Sequence, residues 1–316
     1  MQPPDVTLET IQSARERIAG RTRRTPVLED ETLNALAGAQ LYFKCENFQE
    51  GGAFKARGAT NAVFALSAAE LAAGVVTHSS GNHGTAVARA ARLRGVRARI
   101  VMPENSSRAK LEAVRRYGGE VLLCAPTLAA REALAAQLVT DTGAAFIHPY
   151  DDPRVIAGQG TIALELLEEV PDLDWLLLPV GGGGLASGVA VAAKAMRPAI
   201  RLVAVEPSGA DDAQRSFASG TLSGPQQPHT IADGLRGALS ARTFELIRRH
   251  VDDVVTVSDE AIVRAMRTLW QHLKIIVEAS SAVPYAAVQD HQLNVSGARV
   301  GIILTGGNVD LDELPW

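Results

Sequence analysis

Leu176-Leu-Leu-Pro-Val-Gly-Gly-Gly-Gly-Leu-Ala-Ser-Gly188 is the stretch on which the fold turns. It opens with an apolar run of strand length. Four glycines then lead into small residues that suit the start of a helix. A run that is apolar at every position, without alternation, belongs to a strand covered on both faces, as in a parallel sheet. The pattern recurs along the chain. Residues 41–45, 75–77, 98–102, 120–123, 145–147, 202–205, 253–257 and 300–304 read as further strands, and 86–94, 109–117 and 128–140 as helices between them. Ser258 is an N-cap for a helix running through His272, and Gly95, Gly118 and Gly143 stand where helices are expected to end. Alternating strands and helices predict an α/β protein, each domain a largely parallel sheet covered by helices. The strand–helix units between 74 and 147 suit a small domain of their own, leaving 1–73 plus 148–316 as the large one. The stretch 219–230, rich in Gly, Pro and Gln, reads as a surface excursion.

Composition narrows the function. A chain of 316 residues exceeds one ordinary core, so about two domains are expected. With 47% hydrophobic and 21% charged residues it is not a disordered chain. A net charge of -4 and 4% aromatic residues speak against a nucleic-acid partner. Cys45 and Cys124 cannot form a disulfide framework, lie far from any short-range metal-ligand spacing, and fit a reducing cytoplasm. No signal peptide is expected at the N-terminus, and no apolar run approaches the roughly 18 residues of a membrane span. A cytoplasmic protein acting on a small molecule is expected, without a membrane partner.

Four constellations could carry chemistry. Lys55 lies in Gly51-Gly-Ala-Phe-Lys-Ala-Arg-Gly58, a glycine-rich loop at a helix start. Most lysines are simply solvated, but a lysine held in a pocket is a Schiff-base candidate. Thr77-His-Ser-Ser-Gly-Asn-His-Gly84 follows a strand and opens a helix, where backbone amides favour an anion. Ser80 or Asn82 could merely cap that helix, yet two serines and two histidines exceed what a cap needs. Gly181, Gly182, Gly183 and Gly184 let the backbone approach a ligand, and their amides suit a phosphate. Leu304-Thr-Gly-Gly-Asn-Val-Asp310 puts the Thr305 hydroxyl at the carboxyl end of a strand, where a plain turn is the ordinary reading. The tetraglycine segment also fits the dinucleotide fingerprint as Gly181-x-Gly183-x-x-Ala186, with Glu206 placed as a ribose-binding acid, so a nicotinamide-dependent dehydrogenase competes. It leaves the Lys55 and Ser80 loops unexplained. A single cofactor, pyridoxal phosphate, accounts for all four, since it needs a lysine, a phosphate cradle, a ring-nitrogen partner and a carboxylate site beside it.

In this combination and order the motifs resemble the fold-type II pyridoxal-phosphate enzymes of the serine/threonine dehydratase and serine racemase group. The likeness runs from Arg24-Thr-Pro26 to Asn308-Val-Asp310 and includes His148-Pro-Tyr-Asp-Asp-Pro-Arg154. It implies a two-domain α/β fold and a homodimer. Lys55 would be the Schiff-base lysine, with Phe54 against the cofactor ring and Asn82 on the ring hydroxyl. Gly181 to Gly184 and Leu185 would hold the phosphate, Thr305 would meet the pyridine nitrogen, and Glu278 would lie near the same ring edge. Ser79, Ser80, Gly81, Asn82 and His83 would take the substrate carboxylate. In racemase-like members an acid, a carbonyl and a second acid bind a divalent cation. Carried over, these are Glu206, Ala210 and Asp212, an oxygen-only set suited to Mg²⁺ or Mn²⁺. Their ordinary reading is acids at a helix start. The family lysine usually follows Ser-Phe rather than Ala53-Phe54, and Ala279-Ser-Ser-Ala282 departs from the commoner Pro-Thr-Gly.

The resemblance implies α-proton removal by Lys55 and loss of a β-hydroxyl from L-serine, L-threonine or L-threo-3-hydroxyaspartate, giving a 2-oxo acid and ammonia. Arg131 would take an extra carboxylate, though a solvated helix arginine is its ordinary reading. Ser80, facing Lys55 across the substrate, would make the chain a serine racemase as well. No regulatory domain is expected after Asp310. Sulfhydrylases of this fold usually carry threonine where His83 stands, which ranks cysteine synthesis low. A catalytically silent binding protein on the same scaffold would have no need to keep Lys55.

Overall fold

A computed structural model describes residues 6–79, 81–224 and 227–316. Its strands are β1 (Val27–Leu28), β2 (Gln40–Cys45), β3 (Val75–His78), β4 (Ala98–Pro103), β5 (Glu120–Cys124), β6 (Ala145–Phe146), β7 (Trp175–Pro179), β8 (Arg201–Pro207), β9 (Asp253–Val257) and β10 (Arg299–Leu304). Residues 24–54 and 160–316 form one compact unit, and 6–23 with 55–159 form the other.

The first unit is built on a six-stranded sheet in the order β1-β2-β10-β7-β8-β9. Every pairing is parallel except β1 on β2. The apolar run that opened the sequence reading is therefore β7, near the middle of the sheet. Its neighbouring residues point to opposite faces. Leu177 joins a core with Ile302, Val203, Val205 and helix residues Ile262, Met266 and Tyr285, all buried. Leu176 faces the other way, where it and Leu166 of the helix Pro153–Glu169 crowd against Gly301. The expected double cover of a parallel sheet is thus present. Ser258 caps the helix Asp259–Leu273 by accepting from the Ala261 amide, as expected. One charge is buried deliberately: Lys44, fully enclosed on β2, donates from Nζ to Glu165 Oε2 at 2.8 Å and to Thr25 O at 2.7 Å. Such a pair tolerates burial only because both hydrogen bonds are made.

The second unit carries a four-stranded parallel sheet, β5-β4-β3-β6, whose strands all lie within 74–147. The compact unit is larger than that stretch. Ala59, Ala62 and Val63 of the helix Lys55–Ala65, and Val155, share one core with Val75, Val87 and Ile100. Helices Lys55–Ala65 and Pro153–Glu169 meet within it at two glycines. A Cβ on Gly158 would come within 2.6 Å of Gly58 Cα, and one on Gly58 would come within 2.7 Å of Val155 O. Gly58 N donates to Gln159 Oε1 at 3.1 Å across the same crossing. This crossing fixes the helix that begins with Lys55.

β1 escaped the sequence reading, since two residues at an edge make no pattern. The helix Asn82–Arg94 begins four residues earlier than expected. Its N-cap is Gly81, which makes no side-chain capping bond, so Asn82 is not the cap. Gly95 and Gly143 close their helices in the left-handed conformation, as expected.

Candidate active site

The two glycine-rich motifs from opposite ends of the sequence are joined by hydrogen bonds. Phe54 N donates to Thr305 O at 3.0 Å, Gly307 N to Gly52 O at 3.0 Å, and Asn308 Nδ2 to Gly51 O at 2.8 Å. Ala53 and Gly306 form an antiparallel bridge between them. β10 lies between β2 and β7, so this junction sits at the carboxyl end of a central strand. There Thr305 is buried. Glu278 reaches the same place from the N-terminus of the helix Ala279–Gln289. Its amide donates to Gly306 O at 3.0 Å, and its Oε2 accepts from Asn308 N at 3.2 Å. Phe54, Glu278 and Thr305 are thereby brought together. Two serines that the sequence marks only as a departure from the commoner Pro-Thr-Gly complete the arrangement: Ser281 Oγ accepts from Gly306 N at 3.2 Å and Ser280 Oγ from Gly234 N at 3.1 Å.

The tetraglycine turn leaves the carboxyl end of β7. Gly183 has φ 84 and is the N-cap of the helix Gly184–Met196, with no side-chain cap. That conformation and the space both call for glycine, because a Cβ on Gly183 would lie 2.7 Å from Leu239 and from Thr243. The first-turn amides of this helix thus receive no side-chain cap from the N-cap residue, and the helix dipole adds its positive end. The donor set fits a phosphate. Beside it, at the end of β8, Glu206 is fully buried and accepts from Gln214 N at 2.7 Å and Ala213 N at 3.3 Å. Burial first, with help from Asp212, pushes its carboxyl up to about 8. Burial also raises Asp212, whose Oδ2 accepts from Leu239 N at 3.0 Å. Ala210 is buried in the short turn between them.

The remaining residues belong to the other unit. Lys55 Nζ donates to Pro149 O at 2.9 Å. Ser79 Oγ accepts from Gly81 N at 3.1 Å, Asn82 opens the helix, and Ser80 lies outside the described residues. His83 is buried, and its Nε2 lies 3.2 Å from Ile147 O, which also accepts from Thr77 Oγ1 at 2.7 Å. Burial, then the Lys55 cation, holds His83 well below the usual histidine range. His78 stacks on Phe146 at 5.7 Å and meets His148 edge-on at 5.9 Å. Burial, followed by His148 and Arg131, takes His78 down to about 4. Arg131, half-buried on the helix Leu128–Thr142, is therefore within electrostatic reach of that cluster. Pro149 and Ile147 escaped individual notice because a backbone carbonyl leaves no mark on the sequence pattern.

Residues 18–306 match the family described as pyridoxal-phosphate dependent enzyme, and the chain belongs to it. It is similar to a beta-hydroxyaspartate dehydratase of Paracoccus denitrificans, 51% identical over 98% of both chains. A serine racemase of Oryza sativa is 47% identical over 97% of this chain and 92% of its own. The solved structure of maize serine racemase superposes with TM-score 0.95 at 46% identity, covering 98% of this chain and 95% of that one. These findings remove the nicotinamide dehydrogenase. The structure gives a physical reason: Glu206 is fully buried at the end of β8, so its carboxylate presents no surface to a ribose.

His78 predicts a measurable pH effect. Unfolded histidine binds its proton near 6.5, whereas folded His78 does so only near about 4. Between those values the unfolded state holds more protons, so His78 subtracts stability as pH falls from about 7 to 4, amounting to about 3 kcal/mol. Glu206, raised to about 8, has the opposite slope above the ordinary carboxylate range. The difference between wild type and His78→Gln in urea unfolding isolates the histidine: the variant gains relative stability on going from pH 7 to pH 5. A difference that does not change with pH contradicts the assignment.

Proposed function

We propose that the chain is a pyridoxal-phosphate-dependent dehydratase, converting L-serine- and L-threonine-type β-hydroxy amino acids to 2-oxo acids and ammonia. The observation that carries this reading is the hydrogen-bonded junction of 51–54 with 305–308, which gathers Phe54, Glu278 and Thr305 and is followed at once by Lys55. Gly181, Gly182, Gly183, Gly184 and Leu185 would hold the phosphate, Asn82 would meet the ring hydroxyl, and Phe54 would lie against the ring. When bound, pyridoxal phosphate supplies an electron sink conjugated to the substrate α-carbon. Thr305 offers the ring nitrogen a neutral hydroxyl, which does not supply the charge that a carboxylate there would, and Glu278 lies near the same edge. Ser79, Ser80, Gly81, Asn82 and, through its backbone amide, His83 receive the substrate carboxylate at the N-terminus of the helix Asn82–Arg94. Lys55 takes the α-proton, and the β-hydroxyl departs with a proton as water.

The Paracoccus relative supports 3-hydroxyaspartate among the substrates, with Arg131 as the residue that receives the second carboxylate. The rice and maize relatives support a second activity, serine racemisation, in which Ser80 reprotonates the face opposite Lys55. A cytoplasmic homodimer goes with the family resemblance; among the described helices none is long and apolar enough to cross a membrane.

The test is release of 2-oxo acid from L-serine, L-threonine and 3-hydroxyaspartate, with D-serine followed in parallel. Lys55→Ala is expected to lower both activities by about 10³-fold or more. Ser80→Ala is expected to lose racemisation and keep elimination. Undiminished turnover in Lys55→Ala contradicts the reading.

Glu206, the Ala210 carbonyl and Asp212 are proposed to hold Mg²⁺ or Mn²⁺. Two buried carboxylates fit a cation, whose charge would offset the burial that raises both and the Asp212 charge that raises Glu206 further. Saturating Mg²⁺ is expected to raise the Tm of wild type and not of Asp212→Asn, as binding to the folded state alone requires. An equal rise in both disproves the site.

A further inference from the structure

We infer that the His83 ring reads the β-hydroxyl of the substrate, by accepting a hydrogen bond at Nδ1. The inference rests on the dehydratase reading and deepens it. A backbone carbonyl can only accept, so the contact of His83 Nε2 with Ile147 O puts the ring proton on Nε2. Thr77 Oγ1 donates to the same carbonyl and steadies it. Nδ1 is then a bare lone pair. It is buried and has no hydrogen-bond partner among the described residues. Leaving such an acceptor unpaired in a dry site is unfavourable, so its natural complement is a donor.

The position points to substrate. Ile147 O holds His83, and Pro149 O, two residues further on, holds Lys55. Lys55 lies close enough for its charge to oppose protonation of the ring, with His148 and His78 acting in the same direction. His83 therefore stays an acceptor where the substrate's α-carbon must meet Lys55. Of the polar groups on a β-hydroxy amino acid, the carboxylate only accepts, and the amino nitrogen is committed to the cofactor. The β-hydroxyl is the one remaining donor. Its hydrogen directed at Nδ1 leaves the oxygen lone pairs free for the proton that must arrive as water departs. His83 transfers no proton itself; it is a specificity-determining residue. The carboxylate is left to the backbone amides at the start of the helix Asn82–Arg94, that of His83 among them, and the hydroxyl to the ring.

The experiment compares L-serine with β-chloro-L-alanine in the holoenzyme. Both lose the α-proton to Lys55 and end as pyruvate and ammonia, but one expels water and the other chloride, and only serine has a hydroxyl to donate. His83→Phe is expected to lower kcat/KM for L-serine about 10- to 100-fold, and to leave β-chloro-L-alanine within about threefold. An equal loss on both substrates, with wild type active on both, overturns the role of His83 alone. A wild type that processes neither substrate overturns the dehydratase reading and the inference with it. ¹⁵N-histidine NMR of the wild type supplies a readout independent of turnover and of whether the variant folds. His83 is expected to show a protonated Nε2 and an unprotonated Nδ1 from pH 5 to 8. A proton on Nδ1 anywhere in that range overturns the inference.

Discussion

The junction of residues 51–54 with 305–308 is the constraint on which the site depends. It is made of backbone hydrogen bonds at the carboxyl end of β10, and it admits almost no side chain. A Cβ on Gly52 would collide with Asn308, and one on Gly306 would lie 2.8 Å from Glu278 Oε1. The glycines are therefore a condition of closeness. They allow a loop near the start of the chain to lie along a loop near its end, with the lysine-bearing helix starting directly afterwards. Around this junction, Lys44 on β2 is pinned by Glu165, and Glu278 is pinned by the Gly306 and Asn308 backbone.

Electrostatics divides the site residues into two kinds. At the end of β8, buried carboxylates accept backbone amides, while burial disfavours their charged form and pushes their titration up. In the unit that carries Lys55, buried histidines are pushed the other way and kept neutral. A neutral, dry histidine set beside a lysine gives polarity without competing charge. It fits chemistry in which one amine must hand on a single proton.

Much of this was legible in the sequence because it lies in the backbone's needs. β7 shows as five apolar residues without alternation, and Gly183 shows because only glycine holds φ 84 against Leu239 and Thr243. The tetraglycine turn and Thr305 follow strand ends and Lys55 opens a helix after a glycine-rich loop, so their motifs could be placed before any coordinates. The rest depended on contacts far apart in sequence. Pro149 and Ile147 act through carbonyls that every residue possesses. Ser280 and Ser281 read only as a departure from the commoner Pro-Thr-Gly, although their hydroxyls hold Gly234 and Gly306. The helix Lys55–Ala65 reads as part of the large domain, yet its small apolar face joins the core of the four-stranded sheet.

The central claim is that Lys55 is the residue to which pyridoxal phosphate is joined. Borohydride reduction of the holoenzyme, followed by peptide mass mapping, tests it most directly. The account predicts the pyridoxyl adduct on Lys55, in the peptide that begins beyond Lys44 and contains Gly51-Gly-Ala-Phe54. An adduct on Lys44, Lys110, Lys194 or Lys274, or on no lysine at all, would contradict it.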